Sequence, residues 1–197
     1  MITIRPVKKE DILAISKIHK EIFKDHYLGN FSIRILSQFY KSFISVDTIF
    51  LVSVDFTNLT INGFVLGGSS DQLFEARKNF INDSIFRFLF EIMIKPNIWI
   101  DSLTRLCHKN QRNKSNIAFR LLSIGIDPSS QGHGVAMKLV EAFDEIAYDL
   151  KVNEYGLSVH STNLRAINFY TKMGFQIESK KPNSIFFYKK VKSSNEL

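Results

Sequence analysis

The sequence predicts a mixed α/β fold in one compact domain. Its 197 residues suit a single domain with a sizeable insertion, since domains usually contain about 100–150 residues. Segments with β-type alternation and segments with helical spacing follow one another along the chain, and a glycine-containing loop joins an apolar strand to an amphipathic helix. We therefore expect one layered domain over residues 1–192 and a polar, flexible tail over residues 193–197.

The first third of the chain alternates between the two kinds of segment. Hydrophobic periodicity predicts a short strand at residues 3–4, helices over residues 12–22 and 33–43, and two antiparallel strands over residues 48–54 and 61–66. The apolar side of the first helix includes His19 among its isoleucines. The two strands are joined by a polar stretch that suits a hairpin turn.

Residues 69–115 differ from the rest of the chain, because their spacing is helical and they are rich in aromatic side chains. We interpret them as an inserted helical hairpin. Basic residues outnumber acidic ones in this segment, which is typical of a solvated charged face or of a surface for an anion. Its apolar side must be buried somewhere, so packing, including a homodimer contact, is favoured over ligand binding.

The remaining elements alternate regularly. We expect a strand over residues 118–126, a helix whose apolar stripe runs from 135 to 147, and a strand over residues 155–160. A helix over residues 163–173 ends at Gly174, a residue type that tolerates the left-handed conformation after a helix. Two closing strands, over residues 175–178 and 184–191, are joined by a turn at residues 180–183.

Composition excludes several classes of protein. With 45% hydrophobic and 23% charged residues, the chain is neither disordered nor low in complexity. The net charge of +7 makes phosphate-bearing ligands reasonable partners. The basic residues are spread rather than clustered and no nucleic-acid motif is present, so nucleic acid is not expected as a partner.

Cysteine, metal and membrane chemistry are also not expected. Cys107 is the single cysteine, so no internal disulfide can form, and five scattered histidines give no zinc-ligand cluster. The N-terminus lacks a signal-peptide pattern, which favours a cytoplasmic location. The most apolar stretch, residues 84–100, contains charges and a proline and is shorter than the roughly 20 residues that a membrane span requires.

The most informative segment is the loop before the helix at residue 135. Gly132 and Gly134 lie where a strand ends and an amphipathic helix begins. A helix N-terminus has unpaired amides and a partial positive charge, and glycines let an anion approach the main chain. The same glycines could instead make only a tight turn. Two other phosphate motifs are excluded, because Met137 replaces the third glycine of a dinucleotide fingerprint and no Gly-Lys-Ser/Thr is present.

Two motifs carry a family resemblance. Gln131, Gly134 and Ala136 match the Arg/Gln-x-x-Gly-x-Gly/Ala pattern, and residues 163–175 match Asn-x-x-Ala-x-x-Phe-Tyr-x-x-x-Gly-Phe at every specified position. With this order of elements, the chain resembles the GNAT superfamily of N-acetyltransferases everywhere except residues 69–115. The resemblance implies a central, mostly antiparallel sheet with a splayed parallel strand pair, flanked by helices.

The resemblance also implies an activity. Acetyl-CoA would donate its acetyl group directly to a primary amine of a small molecule, with an amino sugar or a nucleotide-linked amino sugar as candidates, and no metal would take part. Direct transfer agrees with the lack of a Gly-x-Ser-x-Gly motif and with the poor geometry of Cys107 beside His108. A non-catalytic acyl-CoA-binding module and a protein N-acetyltransferase remain alternatives. The acceptor is expected between residues 25–30, residues 180–183 and the insertion.

Site residues follow by matching the family motifs. The main chain of the strand at 124–126 is expected to bind pantetheine, the amides of residues 132–136 to hold the diphosphate, and Asn163 to bind pantetheine or to cap its helix. Within the loop, His133 is expected to face solvent. The full donor-binding set is Ile124, Gly125, Ile126, Gln131, Gly132, His133, Gly134, Val135, Ala136, Asn163, Ala166, Phe169 and Tyr170.

Tyr170 is the expected general acid. A phenol with a pKa near ~10 stays protonated at neutral pH and can hydrogen-bond a departing thiolate, whose thiol has a pKa near ~8.5. The base is less defined, because the strand before the loop has no acid until Asp127. We expect deprotonation of the amine through ordered water, with Ser123 or His160 as contributors. The more ordinary role for His160 is a structural hydrogen bond at a strand end.

Overall fold

The computed structural model describes residues 2–24, 27–57, 59–94 and 117–191. Within these ranges, seven strands form one mixed sheet in the order β1-β2-β3-β4-β5-β7-β6. The β4–β5 pair is parallel and every other neighbouring pair is antiparallel. The strands are β1 (Ile2–Pro6), β2 (Ile49–Asp55), β3 (Ile61–Ser69), β4 (Phe119–Ile126), β5 (Glu154–His160), β6 (Gln176–Lys181) and β7 (Ser184–Lys190).

Helices cover both faces of the sheet. The α-helices of the described residues are α1 (Ile12–Ile22), α2 (Ile33–Ile44), α3 (Ser70–Ile94), α4 (Val135–Asp149) and α5 (Leu164–Lys172). Short 3-10 helices at Lys9–Asp11, Leu28–Asn30 and Pro128–Ser130 accompany them. The mixed sheet flanked by helices confirms the predicted fold class.

Strand alternation separates the interior into two cores. On β2, Phe50 and Val52 pack with α1, α2 and α3, whereas Ile49 and Leu51 pack with α4 and the residues of α5. This is the period-two pattern that puts successive side chains on opposite faces of a sheet. The central strands are therefore buried on both sides, and the site lies where these two cores meet a gap in the sheet.

Most predicted elements are confirmed, but the closing turn is shorter than predicted. The sequence placed a turn at residues 180–183, whereas β6 continues to Lys181 and only Pro182 and Asn183 turn the chain. Lys180 and Lys181 pair with Ile185 and Ser184 of β7, so two residues of the predicted turn belong to an edge strand. Lysine is a common residue on such edges.

The insertion is confirmed in its first part. β3 leads directly into α3, whose 25 residues make one long helix, while residues 95–115, the predicted second half of the hairpin, lie outside the described residues. Large apolar side chains of α3, including Phe74, Phe86, Phe90 and Met93, are exposed. A homodimer contact through this face stays a prediction. No described helix is long and apolar enough to cross a bilayer.

Polar contacts fix the segment between α1 and α2, which borders the site. The Lys20 ammonium donates to the carbonyl oxygens of Gly29 (2.6 Å) and Phe31 (2.8 Å). Ser32 caps α2, and its amide donates to a carboxylate oxygen of Glu91 on α3 at 2.9 Å, while its hydroxyl donates to the other oxygen. The insertion helix therefore holds the start of α2.

Gly125 has a packing role in the fold that can be tested. A Cβ atom at this position would lie 2.6 Å from Cε1 of Phe64 and 2.7 Å from Cδ1 of Ile22, closer than carbon atoms can pack. We expect Gly125→Ala to lower the free energy of unfolding by about 1–3 kcal/mol, the usual cost of overpacking a core. Chemical denaturation measures this loss. An unchanged denaturation midpoint would contradict the role, and Ser179→Ala on the exposed face of β6 serves as the control.

Candidate active site

A cleft opens between β4 and β5 because the two parallel strands are joined at only one point. Their single register pair is Arg120 with Gly156, near the start of both strands. Beyond it, toward the carboxyl ends, the facing main chain of the two strands is not paired. A cavity of about 760 Å³ fills this opening and is lined by residues from α1, α2, α3, β4, β5 and α5. Splayed strands thus create both space and unpaired main-chain groups.

The glycine loop follows β4 along the chain, and its residues are not among those that line the cavity. Gly132 and Gly134 have φ angles of +87° and +78°, in the left-handed region that favours glycine. Gly134 is the residue before α4, whose first amides have no partner within the helix. The amides of Gly132 and His133 also make no backbone hydrogen bond to the described residues. His133 is exposed, as expected, so the loop presents a row of main-chain donors.

A Cβ atom at Gly132 would meet nothing within 4 Å. The glycine is therefore not needed for packing, and its conformation and open surroundings leave room for a ligand beside the main chain. These features fit an anion such as a diphosphate, since backbone amides at a helix start bind such groups.

Gln131 holds this loop to both sides of the cleft. Its Nε2 donates to the carbonyl oxygen of Ile126 at 3.3 Å, and its Oε1 accepts a hydrogen bond from Nη1 of Arg165 at 2.5 Å. The Gln131 side chain thus connects the end of β4 to the first turn of α5. Arg165, which sequence reasoning did not select, brings a positive charge to the loop; its place two residues after Asn163 was the available signal.

The predicted residues of β4 fall into different environments. Ile124 lines the cavity. Ile126 packs against the α4 side of the sheet, and Gly125 faces Phe64 and Ile22 on the α1 side. Any contact of Gly125 and Ile126 with a ligand therefore has to come from the main chain. Val135, at the start of α4, is buried in the core, so its contribution is likewise its amide.

Residues of α5 enclose the cleft from the other side. Asn163 caps this helix, because its Oδ1 accepts from the amide of Ala166 at 3.0 Å, and both residues also line the cavity. The capping role and a position at the cavity therefore coexist. Phe169 instead packs beside the core, with its ring 5.2 Å from that of Tyr170. Its contribution is to support Tyr170 rather than to line the cavity.

Tyr170 is buried, with 6% of its surface exposed, yet it lines the cavity. Its ring packs against Phe175 and Phe187 as well as Phe169, which fixes its orientation. The hydroxyl makes no hydrogen bond within the described residues. Burial raises the pKa of the phenol well above its usual value, so the group is protonated at neutral pH and presents a donor.

The two residues predicted to assist the base are separated by the structure. His160 is exposed at the end of β5, where its Nδ1 lies 2.8 Å from the hydroxyl of Thr162; this is the structural role considered for it. Ser123 lies inside, on β4, with its Oγ 3.5 Å from the hydroxyl of Tyr40. Both residues line the cavity, but only Ser123 belongs to a buried polar group.

That buried group includes a histidine that sequence reasoning assigned only to an apolar helix face. His19 of α1 is 5% exposed, and its Nδ1 lies 2.6 Å from the hydroxyl of Tyr40. His19, Tyr40 and Ser123 all line the cavity, on the α1–α2 side of the sheet. A histidine at a helical apolar position was the one available signal for them.

The rest of the cavity wall is largely apolar. Side chains from α2, α3 and the segment between α1 and α2 form one part of this wall, the apolar lobe, and one basic residue of α3, Arg77, accompanies them. Among the described residues of the lining, none is an aspartate or a glutamate. Likewise, the described part of the chain has no group of three metal-ligating side chains. The aromatic and aliphatic members of this lobe are Phe23, Tyr27, Leu28, Phe39, Phe80 and Ile81.

Solved structures with the same fold cover nearly the whole chain. The PaiA N-acetyltransferase of Thermoplasma acidophilum, in complex with coenzyme A, is 19% identical with a TM-score of 0.60, and the match covers 96% of this chain and 99% of that one. SsHAT is 18% identical with a TM-score of 0.74, covering 98% and 99%. YncA of Salmonella typhimurium, a putative acetyltransferase with its cofactor acetyl-CoA, is 16% identical with a TM-score of 0.61, covering 98% and 95%.

Sequence comparison points the same way. A search of curated proteins finds no significant match. The family model described as "Acetyltransferase (GNAT) family" matches residues 106–175, which span β4, the glycine loop and α5. This match, the shared fold and the splayed β4–β5 cleft agree with both motifs. Residues 106–175 therefore match the GNAT acetyltransferase family, and the chain has the fold of these solved structures.

Proposed function

We propose that this protein is an acetyl-CoA-dependent N-acetyltransferase that moves the acetyl group directly to a primary amine of a small molecule. One observation carries the proposal: a single cavity, next to the strand that leads into the loop of unpaired amides, is lined both by the predicted donor-side residues Asn163 and Tyr170 and by the aromatic and aliphatic side chains of the apolar lobe. Direct transfer needs both substrates in one cavity, because no covalent enzyme intermediate holds the acetyl group between two half-reactions.

The donor side of the site fits a nucleotide thioester. The unpaired amides from Gly132 to Ala136 supply hydrogen bonds and partial positive charge for a diphosphate, and Arg165 adds a nearby cation. The unpaired main chain of β4 beyond Arg120 can bind an amide-rich arm in the manner of an added strand. An acyl chain that follows β4 inward from the loop reaches the part of the cavity that Tyr170 lines.

In the transfer step, the amine nitrogen attacks the thioester carbonyl, the carbon–sulfur bond breaks, and the sulfur leaves as a thiolate. Tyr170 donates a hydrogen bond to this sulfur while negative charge develops. Its raised pKa means that the phenol holds its proton firmly, so stabilisation of the developing charge is its main contribution. The thiolate then takes up a proton, and the amine loses one.

The apolar lobe of the cavity favours an acceptor amine with an apolar body. Its wall is mostly aromatic, and the described lining offers no carboxylate to a polycation. A polar sugar would leave many hydroxyl groups without partners against such a wall, and unpaired buried polar groups are costly. We therefore place arylalkylamines and similar compounds ahead of the amino sugars that the sequence suggested.

An amine panel tests the proposed function. With acetyl-CoA as donor, we expect an arylalkylamine to release thiol faster than an amino sugar, a polyamine or a peptide with a free N-terminus. A thiol-release assay over all four measures this. Thermal stabilisation by acetyl-CoA without thiol release for any amine would instead support a non-catalytic binding module, and a preference for the peptide would support a protein N-acetyltransferase. At a concentration 100 times its dissociation constant, acetyl-CoA should stabilise the folded protein by ~2.7 kcal/mol.

Replacement of Tyr170 tests its role in the transfer step. We expect Tyr170→Phe to lower kcat by about 10²- to 10³-fold, the usual loss when one donor to a developing anion is removed, with little change in the KM for acetyl-CoA. Steady-state kinetics measure both constants. Tyr188→Phe is the control, because that hydroxyl donates to Gln176 between β7 and β6. A Tyr170→Phe enzyme with wild-type kcat would rule out the assigned role.

Two glycines with nearly the same φ angle test the diphosphate site. Gly132 and Gly174 have φ angles of +87° and +83°, and a Cβ atom at either would meet nothing within 4 Å. Alanine at each position should cost about 1 kcal/mol of backbone strain. Only Gly132→Ala should also weaken the binding of coenzyme A, because it crowds and turns the amides of the loop. Calorimetry measures the affinity of each variant for coenzyme A, and equal affinities for the two variants would contradict the assignment.

A further inference from the structure

The α1–α2 side of the cavity contains three polar residues in a mostly apolar wall. The hydroxyl of Tyr40 lies 2.6 Å from Nδ1 of His19 and 3.5 Å from Oγ of Ser123. Tyr40 is fully buried, and its ring packs against Phe39, Phe50 and other aromatic side chains. A phenylalanine would fill the same space, so packing alone does not explain the hydroxyl.

We propose that Ser123, Tyr40 and His19 form a relay that takes the proton from the acceptor amine and passes it to His19. Ser123 is the end of the relay nearest the expected acetyl-CoA site, because it precedes Ile124 on β4, and His19 on α1 is the other end. The inference rests on the proposed function, since it concerns the amine that attacks the thioester.

The reaction requires a group that removes a proton from the acceptor amine. An alkylamine with a pKa near ~10.4 is neutral in about one molecule per few thousand at pH 7, so its proton has to be removed before attack. No carboxylate is found in the described lining of the cavity, and His160 is turned to Thr162 at the rim. Imidazole is the ordinary side chain that accepts a proton near neutral pH.

The order of proton transfers in the relay follows from the properties of the Tyr40 hydroxyl. Burial raises the pKa of its phenol, and the hydrogen bond from Ser123 opposes this rise. Tyr40 therefore does not persist as an anion. It can give its proton to Nδ1 of His19 only while it accepts one from Ser123, which is a concerted transfer.

The atoms balance along this path. The ammonium N–H bond breaks as its proton moves to Oγ of Ser123, the proton of Ser123 moves to the hydroxyl oxygen of Tyr40, and the proton of Tyr40 moves to Nδ1 of His19. Ser123 and Tyr40 end as they began. The amine becomes neutral and nucleophilic, and His19 becomes an imidazolium that returns its proton to solvent after the transfer.

The decisive variant is Tyr40→Phe, with Tyr155→Phe as its matched control. Both tyrosines are fully buried, and both hydroxyls are hydrogen-bonded, but that of Tyr155 donates to Asp144 at 2.7 Å and does not line the cavity. Each variant removes one buried hydroxyl. Any general effect of such a loss on stability therefore appears in both, whereas loss of the relay appears only in Tyr40→Phe.

The measurement compares how much kcat/KM of Tyr40→Phe falls for acceptor amines of different basicity. With an alkylamine at pH 7, we expect kcat/KM of Tyr40→Phe to fall by about 100-fold or more, the lower range for a positioned acid–base group. With an arylamine, which is already neutral at pH 7, the loss should be small. Raising the pH toward the pKa of the free alkylamine should restore kcat/KM of Tyr40→Phe, because solvent then removes the proton.

A second variant separates the relay from the packing of Tyr40. His19→Gln keeps an oxygen that can accept the hydrogen bond of Tyr40 but cannot hold the proton, so it should show the same dependence on amine basicity. The other titratable groups in the described lining, Tyr27, Arg77, His160 and Tyr170, are unchanged in every variant.

The outcomes are distinct. Equal losses of Tyr40→Phe for the alkylamine and the arylamine, or wild-type activity with both, would overturn the relay and leave the proposed function standing. The same dependence on basicity in Tyr155→Phe would also overturn it. A wild-type protein that binds acetyl-CoA but acetylates no amine of either class would overturn the proposed function and the relay together.

Discussion

The geometry of the site depends on one contact between two parallel strands. β4 and β5 pair only at Arg120 and Gly156, where a side chain on Gly156 would come within 3.2 Å of the Arg120 guanidinium and of a carbonyl oxygen of β7. Because the strands are held at one end and part at the other, the sheet gains a cavity in its middle. It also gains main-chain groups on β4 and β5 that have no partner in the facing strand. Without the gap, the loop and α5 would have no common space to serve.

The two faces of the sheet contribute different chemistry to this gap. From the α4–α5 side come the row of amides, the cap Asn163 and the phenol of Tyr170, which suit an anionic carrier and a leaving thiolate. From the α1–α3 side come aromatic walls and the polar group around Tyr40, which suit an apolar amine and the loss of its proton. Glu91 of the insertion holds the start of α2 through Ser32, so the insertion also supports the acceptor side.

The parts of the site that were predictable from sequence are those encoded by neighbouring residues. The glycines of the loop and the motif around Tyr170 are local patterns, because a helix start or a helix face fixes their relative positions within a few residues. The order of strands and helices was equally readable from periodicity. Even there, the predicted turn at residues 180–183 was too long, because Lys180 and Lys181 pair with β7, a contact that local spacing does not show.

The parts that were not predictable depend on contacts between distant segments. His19 and Tyr40 are 21 residues apart, and Ser123 is a further 83 residues along the chain, so no local pattern joins them. Each has an ordinary explanation within its own helix or strand.

The most direct test of the account is a crystal structure with acetyl-CoA bound. The account predicts diphosphate oxygens within hydrogen-bonding distance of the amides from Gly132 to Ala136, and the sulfur within reach of the Tyr170 hydroxyl. A carrier bound away from the glycine loop, or a sulfur remote from Tyr170, would contradict it.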